Sequence, residues 1–520
     1  MALAFASLRR KTSTVFHTAR IRYYSLSANP KPFEQPTSDA RFLRYSSPEP
    51  KFVNHSPFLR FPATQITTLP NGIRVATQPY TSHTHVASVG VWIDAGSRFE
   101  EPGTNGTAHF LEHMIFKGTR RRTVQSLEEE IENMGARLNA YTSREQTTFF
   151  ADVQSKDVPA ALDVLADILQ YSWFPEHALK RERGVILREM EEVQGQMEEV
   201  IFDHLHLAAF RDHPLGNTIL GPEENIRSIS RVDLEQYIST HYTGPRMVSD
   251  FILTTYFKWY KTNYVLIDWW QVVSAAGAVN HDEIVDTVSR KFTRFSTDPT
   301  TADQLVDANP AIFTGTEVRV ENEQMPLVHL AIAFEGASWV DPNSIPLMVI
   351  QSLLGSWNKN IGVGNCSGSD LARRISTNSL ADSMMAFNTN YRDTGLFGIY
   401  STAMPDQLRD LSHVIMEELR RLASEVSETE VTRARNQLKS ALLLHIDGST
   451  AVAENNGRQM LTYGRIMPFI ELFARIDAVD AATIKETAKH FIVNKDIAIA
   501  AVGPLQNLPD HSWFRSQTSA

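Results

Sequence analysis

The chain has 520 residues, 42% of them hydrophobic, which is too long for one compact core and suits two domains of about 200 residues each. A formal charge of −10 argues against non-specific nucleic-acid binding, which needs a basic surface to neutralise phosphates, and favours a cationic partner. The lone cysteine, Cys366, excludes an intramolecular disulfide framework and a cysteine-built zinc cluster, so a metal here needs His and carboxylate ligands; a reducing compartment fits.

In chain order, the first residues carry Arg9, Arg10, Lys11, Arg20 and Arg22 among Ser and Thr, with no acid before Glu34 and no long apolar run. This is the composition of an organelle transit peptide, and mitochondrial targeting is expected. Removal of residues 1–24 takes away five positive charges, leaving −10 − 5 = −15. A Pro- and Ser-rich leader follows over 25–60. TQITTLPNGIRVATQPY and HVASVGVWIDAGSRF read as strands punctuated by Asn71-Gly72, and helix follows from about Thr107. An aromatic segment, Phe251 to Trp270, is broken by Lys258, Lys261 and Asp268, each costing roughly 2.5–3.5 kcal/mol near a bilayer centre, so a soluble chain is expected. The polar stretch RFSTDPTTADQLVDANP reads as a linker, which sets expected domains at 61–296 and 313–510, a linker at 297–312 and a tail at 511–520.

Beyond the linker the pattern repeats. GSRFEEP (Gly96 to Pro102) matches GASWVDP (Gly336 to Pro342) at an offset of 240, each after an alternating apolar strand and before a helix. RERGVILRE (Arg181 to Glu189) matches RARNQLKSA (Arg433 to Ala441) at an offset of 252. His109, Glu112 and His113 then fall on Val349, Ser352 and Leu353, and Glu182 and Glu189 on Ala434 and Ala441. The expected fold class is therefore α+β: two homologous domains, each a mainly antiparallel sheet with helices packed on it, duplicated within the chain. The asymmetry between the halves singles out the five polar residues of the first.

Among these, His109-Phe-Leu-Glu112-His113 has the inverted form H-x-x-E-H. On a helix the two histidines are one turn apart on one face, which suits two imidazoles on one zinc ion, and Glu112 shares that face as a candidate general base. An ordinary apolar helix carrying two histidines is the competing reading, and the loss of all three residues in the other half speaks against it. A third ligand must come from elsewhere. ALKRERGVILREMEEVQGQMEEVIFDHLH is dense in carboxylates: Glu182 and Glu189 share a face, as do Glu199 and Asp203, and spacing does not choose among them. Glu191, Glu192 and Glu198 read as a solvated face.

HFLEHMIFKGT, LNAYTSREQTTFF, RERGVILREMEEV, FDHLH, PLGNTILGPEENI, GSWNKN, MAFNTNYRDTGLFG and RARNQLKSALLLHIDG stand in this order along the chain. Together, over about residues 61 to 510, they resemble the pitrilysin-type zinc metalloendopeptidases, in the branch that processes mitochondrial presequences. The resemblance implies one zinc ion per subunit, held by His109, His113 and Glu189, with Glu112 as general base and Glu182 as a supporting carboxylate. It implies cleavage of basic amino-terminal presequence peptides two or three residues after an arginine. The substrate would lie as an added strand beside Asn139, Ala140 and Tyr141, its arginine read by Glu199 and Asp203. It also implies a heterodimer with an alpha subunit whose glycine-rich loop presents substrate. GSWNKNIGVGNCSGSDL has glycines but no such run. Residence in the mitochondrial matrix follows, or on the inner membrane through subunits of respiratory complex III, since in some lineages the same subunit resembles a complex III core protein. A scaffold role in that complex is the alternative function. Arg22-Tyr23-Tyr24-Ser25 is similar to the family's own cleavage site, with the cut after Tyr24.

One stretch departs from the family pattern. Between PRMV and VVSAAGAVNHDE the chain inserts Ser249 to Gln271, aromatic-rich where the family runs straight through one strand. It reads as translated intron in preference to a surface excursion or a partner- or membrane-facing patch, and it threatens that strand while leaving every expected zinc ligand upstream.

Overall fold

The computed structural model describes residues 63–79, 85–243, 272–295, 300–361, 368–446 and 448–519. The expected transit peptide (1–24) with its cleavage site, the leader (25–60) and the 249–271 insert lie outside the described residues.

Two six-stranded sheets organise the chain. The first is built from β1 (Gln65–Thr68), β2 (Arg74–Pro79), β3 (Val86–Ile93), β4 (Arg137–Thr142), β5 (Thr147–Gln154) and β6 (Val272–Gly277), in the order β1-β2-β6-β3-β5-β4. The second is built from β7 (Glu317–Glu321), β8 (Val328–Glu335), β9 (Ser356–Asn358), β10 (Ser383–Asn390), β11 (Gly395–Ala403) and β12 (Ala498–Gly503), in the order β7-β12-β8-β11-β10-β9. The run β2-β6-β3-β5-β4 reappears as β7-β12-β8-β11-β10. In both, the first pair is parallel and the rest antiparallel. This is the expected α+β class with a duplicated, mainly antiparallel sheet. The strand endangered by the insert is present: β6 is buried throughout and lies between β2 and β3, and all its pairing residues follow Gln271.

Strand alternation divides each sheet between two cores. In β3, Ala87, Val89, Val91 and Ile93 point into a core shared with Leu162, Leu165 and Ile168 of the helix Val158–Tyr171. Trp92 points to the opposite face, where the covering helix comes from the other half of the chain. The helices that matter most are α1 (Thr107–Met114), α2 (Glu176–Gln194), α3 (Met197–Ala209), α4 (Ser344–Leu354), α5 (Glu428–His445) and α6 (Ser449–Tyr463).

Helix α6 lays Val452, Ala453, Met460 and Leu461 against Ala76, Trp92, Val272 and Ala276 of the first sheet. Its start is held there by Ser449 and Thr450, which meet Ser88, and by Thr450 donating to Asp152 at 2.7 Å. Helix α3 does the converse. Ile201, Phe202, Leu205, Ala208 and Ala209 pack on Ala331, Ala333, Phe387, Tyr400, Ala498 and Ala500 of the second sheet. At the 252 offset these two helices are each other's counterparts, so the halves exchange equivalent helices. Burying one Val, Leu, Ile or Phe contributes roughly 1.5–3 kcal/mol, so each exchanged helix is a major term in holding the halves together. The alanine-rich strands Val272–Gly277 and Ala498–Gly503 are small on the faces these helices approach.

Two segments differ from the sequence reading. The expected linker 297–312 contains a helix, Ala302–Ala308, begun by a capping box between Thr301 and Gln304. The expected tail 511–520 is helical over His511–Gln517, capped by Asp510, and buries Phe514 completely in the second core. Polar composition concealed both, because a short helix needs only one buried side chain per turn and a good cap.

Candidate metal centre

Helix α1 starts at Gly106, whose φ of 103° lies in the left-handed region that favours glycine; a Cβ there would come within 2.5 Å of the Leu220 carbonyl. No side chain of the helix caps it. The Glu100 carboxylate does so from upstream, accepting the N–H groups of Gly106 (2.9 Å) and Ala108 (2.6 Å) and the amide of Asn105 (2.8 Å). Burial pushes the Glu100 carboxyl up to about 7 against the pull of these donors. Phe110, Leu111 and Met114 enter the first core, which fixes the roll of the helix and turns His109, Glu112 and His113 the other way.

The face so presented meets α2. His109 is buried and His113 half-buried, their rings 4.8 Å apart. Glu189 reaches both: Oε1 is 3.6 Å from His109 Nε2, and Oε2 is 3.2 Å from His113 Nε2. Donor atoms about 2.1 Å from one tetrahedral ion are about 3.4 Å from one another, so these separations suit a shared zinc ion. One ligand atom from each of the three residues can be drawn within 4.8 Å of the others. Glu189 Oε2 is buried and, although 3.2 Å from His113 Nε2, meets no well-aligned hydrogen-bond donor among the described residues, which leaves it available to a cation. The His109 imidazole, and after it that of His113, hold the Glu189 carboxyl well below the usual carboxylate range. Burial lowers the His113 imidazole, but Glu189, with Glu112 and Glu182 beyond it, more than offsets this and leaves it raised.

Of the carboxylates between which spacing could not choose, only Glu189 joins the two histidines. Glu182 is buried behind His113, its Oε2 3.6 Å from Nδ1, and its Oε1 is 3.0 Å from Lys117 Nζ. That arrangement lets a carboxylate orient a ligating imidazole from its far side. Glu112 is half-buried on α1 and forms no ion pair among the described residues.

Helix α3 continues from α2 across Gly195-Gln196. Glu199 lies near enough to Asp203 and Glu189 that burial first, then these two charges, raise its carboxyl. Asp203 is not a free carboxylate: its Oδ1 accepts from Arg144 Nη2 at 2.7 Å. Asn139, Ala140 and Tyr141 lie on β4, whose only neighbour among the described strands is β5, so the strand is an open sheet edge beside α1. The Ala140 N–H donates to Asn139 Oδ1 at 2.9 Å.

Sequence reasoning missed Glu100, Lys117 and Arg144. GSRFEEP and the lysine one turn beyond His113 were visible, but nothing local shows that a carboxylate six residues upstream folds back onto a helix start.

In the second half α4 and α5 stand where α1 and α2 stand in the first, with Val349 and Leu353 buried in the core, Ala434 buried, and Ser352 donating to the Ala434 carbonyl. The same helix pair is thus apolar there and carries the His109, His113 and Glu189 cluster in the first half.

An inverted H-x-x-E-H helix answered by a glutamate from a second helix defines a metallopeptidase site. Residues 74–223 match the family model described as Insulinase (Peptidase family M16), and residues 252–438 match the model for the Peptidase M16 inactive domain. A probable mitochondrial-processing peptidase subunit beta of Arabidopsis thaliana is 58% identical over 488 residues, covering 94% of this chain and 87% of the plant protein. The Homo sapiens mitochondrial-processing peptidase subunit beta is 48% identical over 458 residues, 88% of each chain. A chain of a Candida albicans structure, complex III2 with Inz-5 bound, shares the fold with a TM-score of 0.74 at 22% identity, covering 88% of this chain and all of that one. This chain belongs to peptidase family M16 and is a metallopeptidase, as the sequence resemblance implied.

Proposed function

We propose that this chain is the catalytic, beta-type subunit of a zinc endopeptidase that removes basic amino-terminal presequences from imported mitochondrial precursors, working as a heterodimer with an alpha subunit. The observation that carries the reading is the convergence of His109, His113 and Glu189 in one half of a duplicated fold whose other half is apolar at the matching positions. High identity to two proteins named as processing-peptidase beta subunits supports the substrate class and the mitochondrial setting.

His109, His113 and Glu189 would hold one zinc ion, with Glu182 steadying His113. Zinc, when bound, supplies a Lewis acid that polarises the scissile carbonyl and acidifies water. Glu112, three residues after His109 and next to His113, takes the proton from the attacking water and delivers it to the leaving amide nitrogen. The open edge of β4 holds an extended peptide by main-chain hydrogen bonds, so that many sequences fit, with Asn139, Ala140 and Tyr141 lining it. Glu199 and Asp203, one turn apart on α3, face the substrate arginine. The same chemistry would cut the chain's own leader after Tyr24.

The test is cleavage of a presequence peptide by the chain co-expressed with an alpha partner, beside Glu112→Gln, with zinc measured in both. Zinc retained and cleavage abolished in the variant is the expected result. Zinc-free wild type, or equal rates in both, would refute the reading and favour the second one, a core scaffold of respiratory complex III, which has the shared fold behind it. Among the described residues no helix is long and apolar enough to cross a membrane.

A further inference from the structure

The hairpin tip joining β4 to β5 is fixed from several sides. Ser143 N–H donates to the Gln146 carbonyl at 2.8 Å, and Arg98 N–H donates to the Arg144 carbonyl at 2.8 Å. The next carboxylate, Glu145, accepts from Arg98 at 2.7 Å and from the Arg392 N–H at 3.1 Å. From this rigid tip the buried Arg144 side chain spends its Nε on the Leu215 carbonyl (3.1 Å) and its Nη2 on Asp203 Oδ1 (2.7 Å). Asp203 Oδ2 accepts no hydrogen bond among the described residues, and Glu199 forms no ion pair among them.

We propose that Arg144 is a specificity-determining positioning residue: it locks Asp203 so that Asp203 Oδ2 and Glu199 form a fixed acceptor pair for a guanidinium. This rests on the reading of Glu199 and Asp203 as the arginine site. Two carboxylates and one guanidinium leave a single negative charge, matched to one incoming cation. Arginine is distinguished from lysine by a planar fork of donors meeting acceptors of fixed geometry, whereas an ammonium accepts any nearby carboxylate. Without Arg144 the pair carries two like charges a turn apart, which repel and spread. The pocket then still attracts cations but no longer fits the fork. Arg144 lies in the turn two residues past the end of β4, the strand that would hold the peptide backbone, and so links that strand to the pocket.

The experiment uses the chain co-assembled with its alpha partner and two presequence peptides that differ only in arginine or lysine two residues before the cut bond. In Arg144→Met the arginine-to-lysine ratio of kcat/KM should fall about tenfold, through a higher KM for the arginine peptide, while zinc content holds. Arg144→Lys should restore much of the rate but not the ratio, because an ammonium cannot serve the Leu215 carbonyl and Asp203 with a fixed fork. The ratio is internal to each preparation, so partial misfolding does not disturb it; if the Met variant does not fold, the Lys variant carries the test. An equal fall on both peptides, with the ratio kept, overturns the proposal in favour of a purely structural arginine. Glu199→Gln separates the two levels. A ratio lost there but kept in both Arg144 variants overturns the role of Arg144 alone, and a ratio kept in all three overturns arginine reading by α3 and this proposal with it.

Discussion

Gly457→Ala sets two effects of opposite sign against each other. In the middle of α6, alanine improves helix propensity by about 1 kcal/mol. The added Cβ, however, would lie 2.3 Å from Trp92 Cδ2 and 2.6 Å from Cγ, and the six-membered ring of the same indole is hemmed by Gly90, whose own Cβ would meet Cζ3 at 2.7 Å. Trp92 is 1% exposed, so the ring has nowhere to swing. Restoring contact to about 3.5 Å needs a shift of roughly 1 Å by the helix or the ring, and overpacking of this kind costs about 1–3 kcal/mol. Because Trp92 has no room to yield, the cost falls toward the upper end of that range and the clash should win by up to about 2 kcal/mol net. The assay is urea unfolding followed by intrinsic fluorescence and circular dichroism, where the variant's midpoint should fall at unchanged m-value. Adding Trp92→Leu should remove the penalty, giving a coupling between the two sites. A Gly457→Ala chain as stable as wild type, or more so, would refute the close approach of α6 to the first sheet.

Three further outcomes follow from the site. Glu189→Gln should lose the metal, whereas Glu182→Gln should keep it with affinity lowered about 10–100-fold, as read by chelator competition; equal losses would erase the distinction between ligand and support. Burial raises Glu100 from 4.5 to about 7, so the folded chain binds that proton more tightly than the unfolded one, and its contribution to stability falls as pH rises between those values. The melting temperature of wild type relative to Glu100→Gln should therefore decline from pH 4.5 to 7 and then level off, and parallel curves across the window would count against a buried, titrating cap. Deleting Ser249–Gln271 should leave a folded, metal-binding chain, because every pairing residue of β6 follows the deletion; loss of the zinc site on deletion would contradict this.

What the sequence made legible was periodic and local. His109 and His113 sit one turn apart with Glu112 between them whatever the tertiary structure, and the non-ligating answers at Val349, Ser352 and Leu353 flagged them without any coordinates. Spacing could not choose Glu189 over Glu182, since both share one face seven residues apart; the choice came from the family resemblance, and its physical basis is how α2 rolls against α1. The pairing of Asp203 with Arg144 spans 59 positions and left no local mark. The helix exchange was equally hidden. The residues of α3 and α6 show which faces are apolar but not which sheet they cover. The helix Ala302–Ala308 was the avoidable miss, because Thr301 and Gln304 spell a capping box.

The exchange of α3 and α6 gives the half that lacks the His–His–Glu cluster a structural task beside the half that carries it. Each half, expressed alone, would bare the alanine-lined face of its sheet and strand one amphipathic helix in water, a combination prone to association between chains. The chain should therefore melt as a single cooperative unit, and a nick in the connection between the halves should leave them clasped. The second half then roofs the first sheet and receives α3, so a fault in a core far from His109 would shift the footing of the helix that bears Glu199 and Asp203.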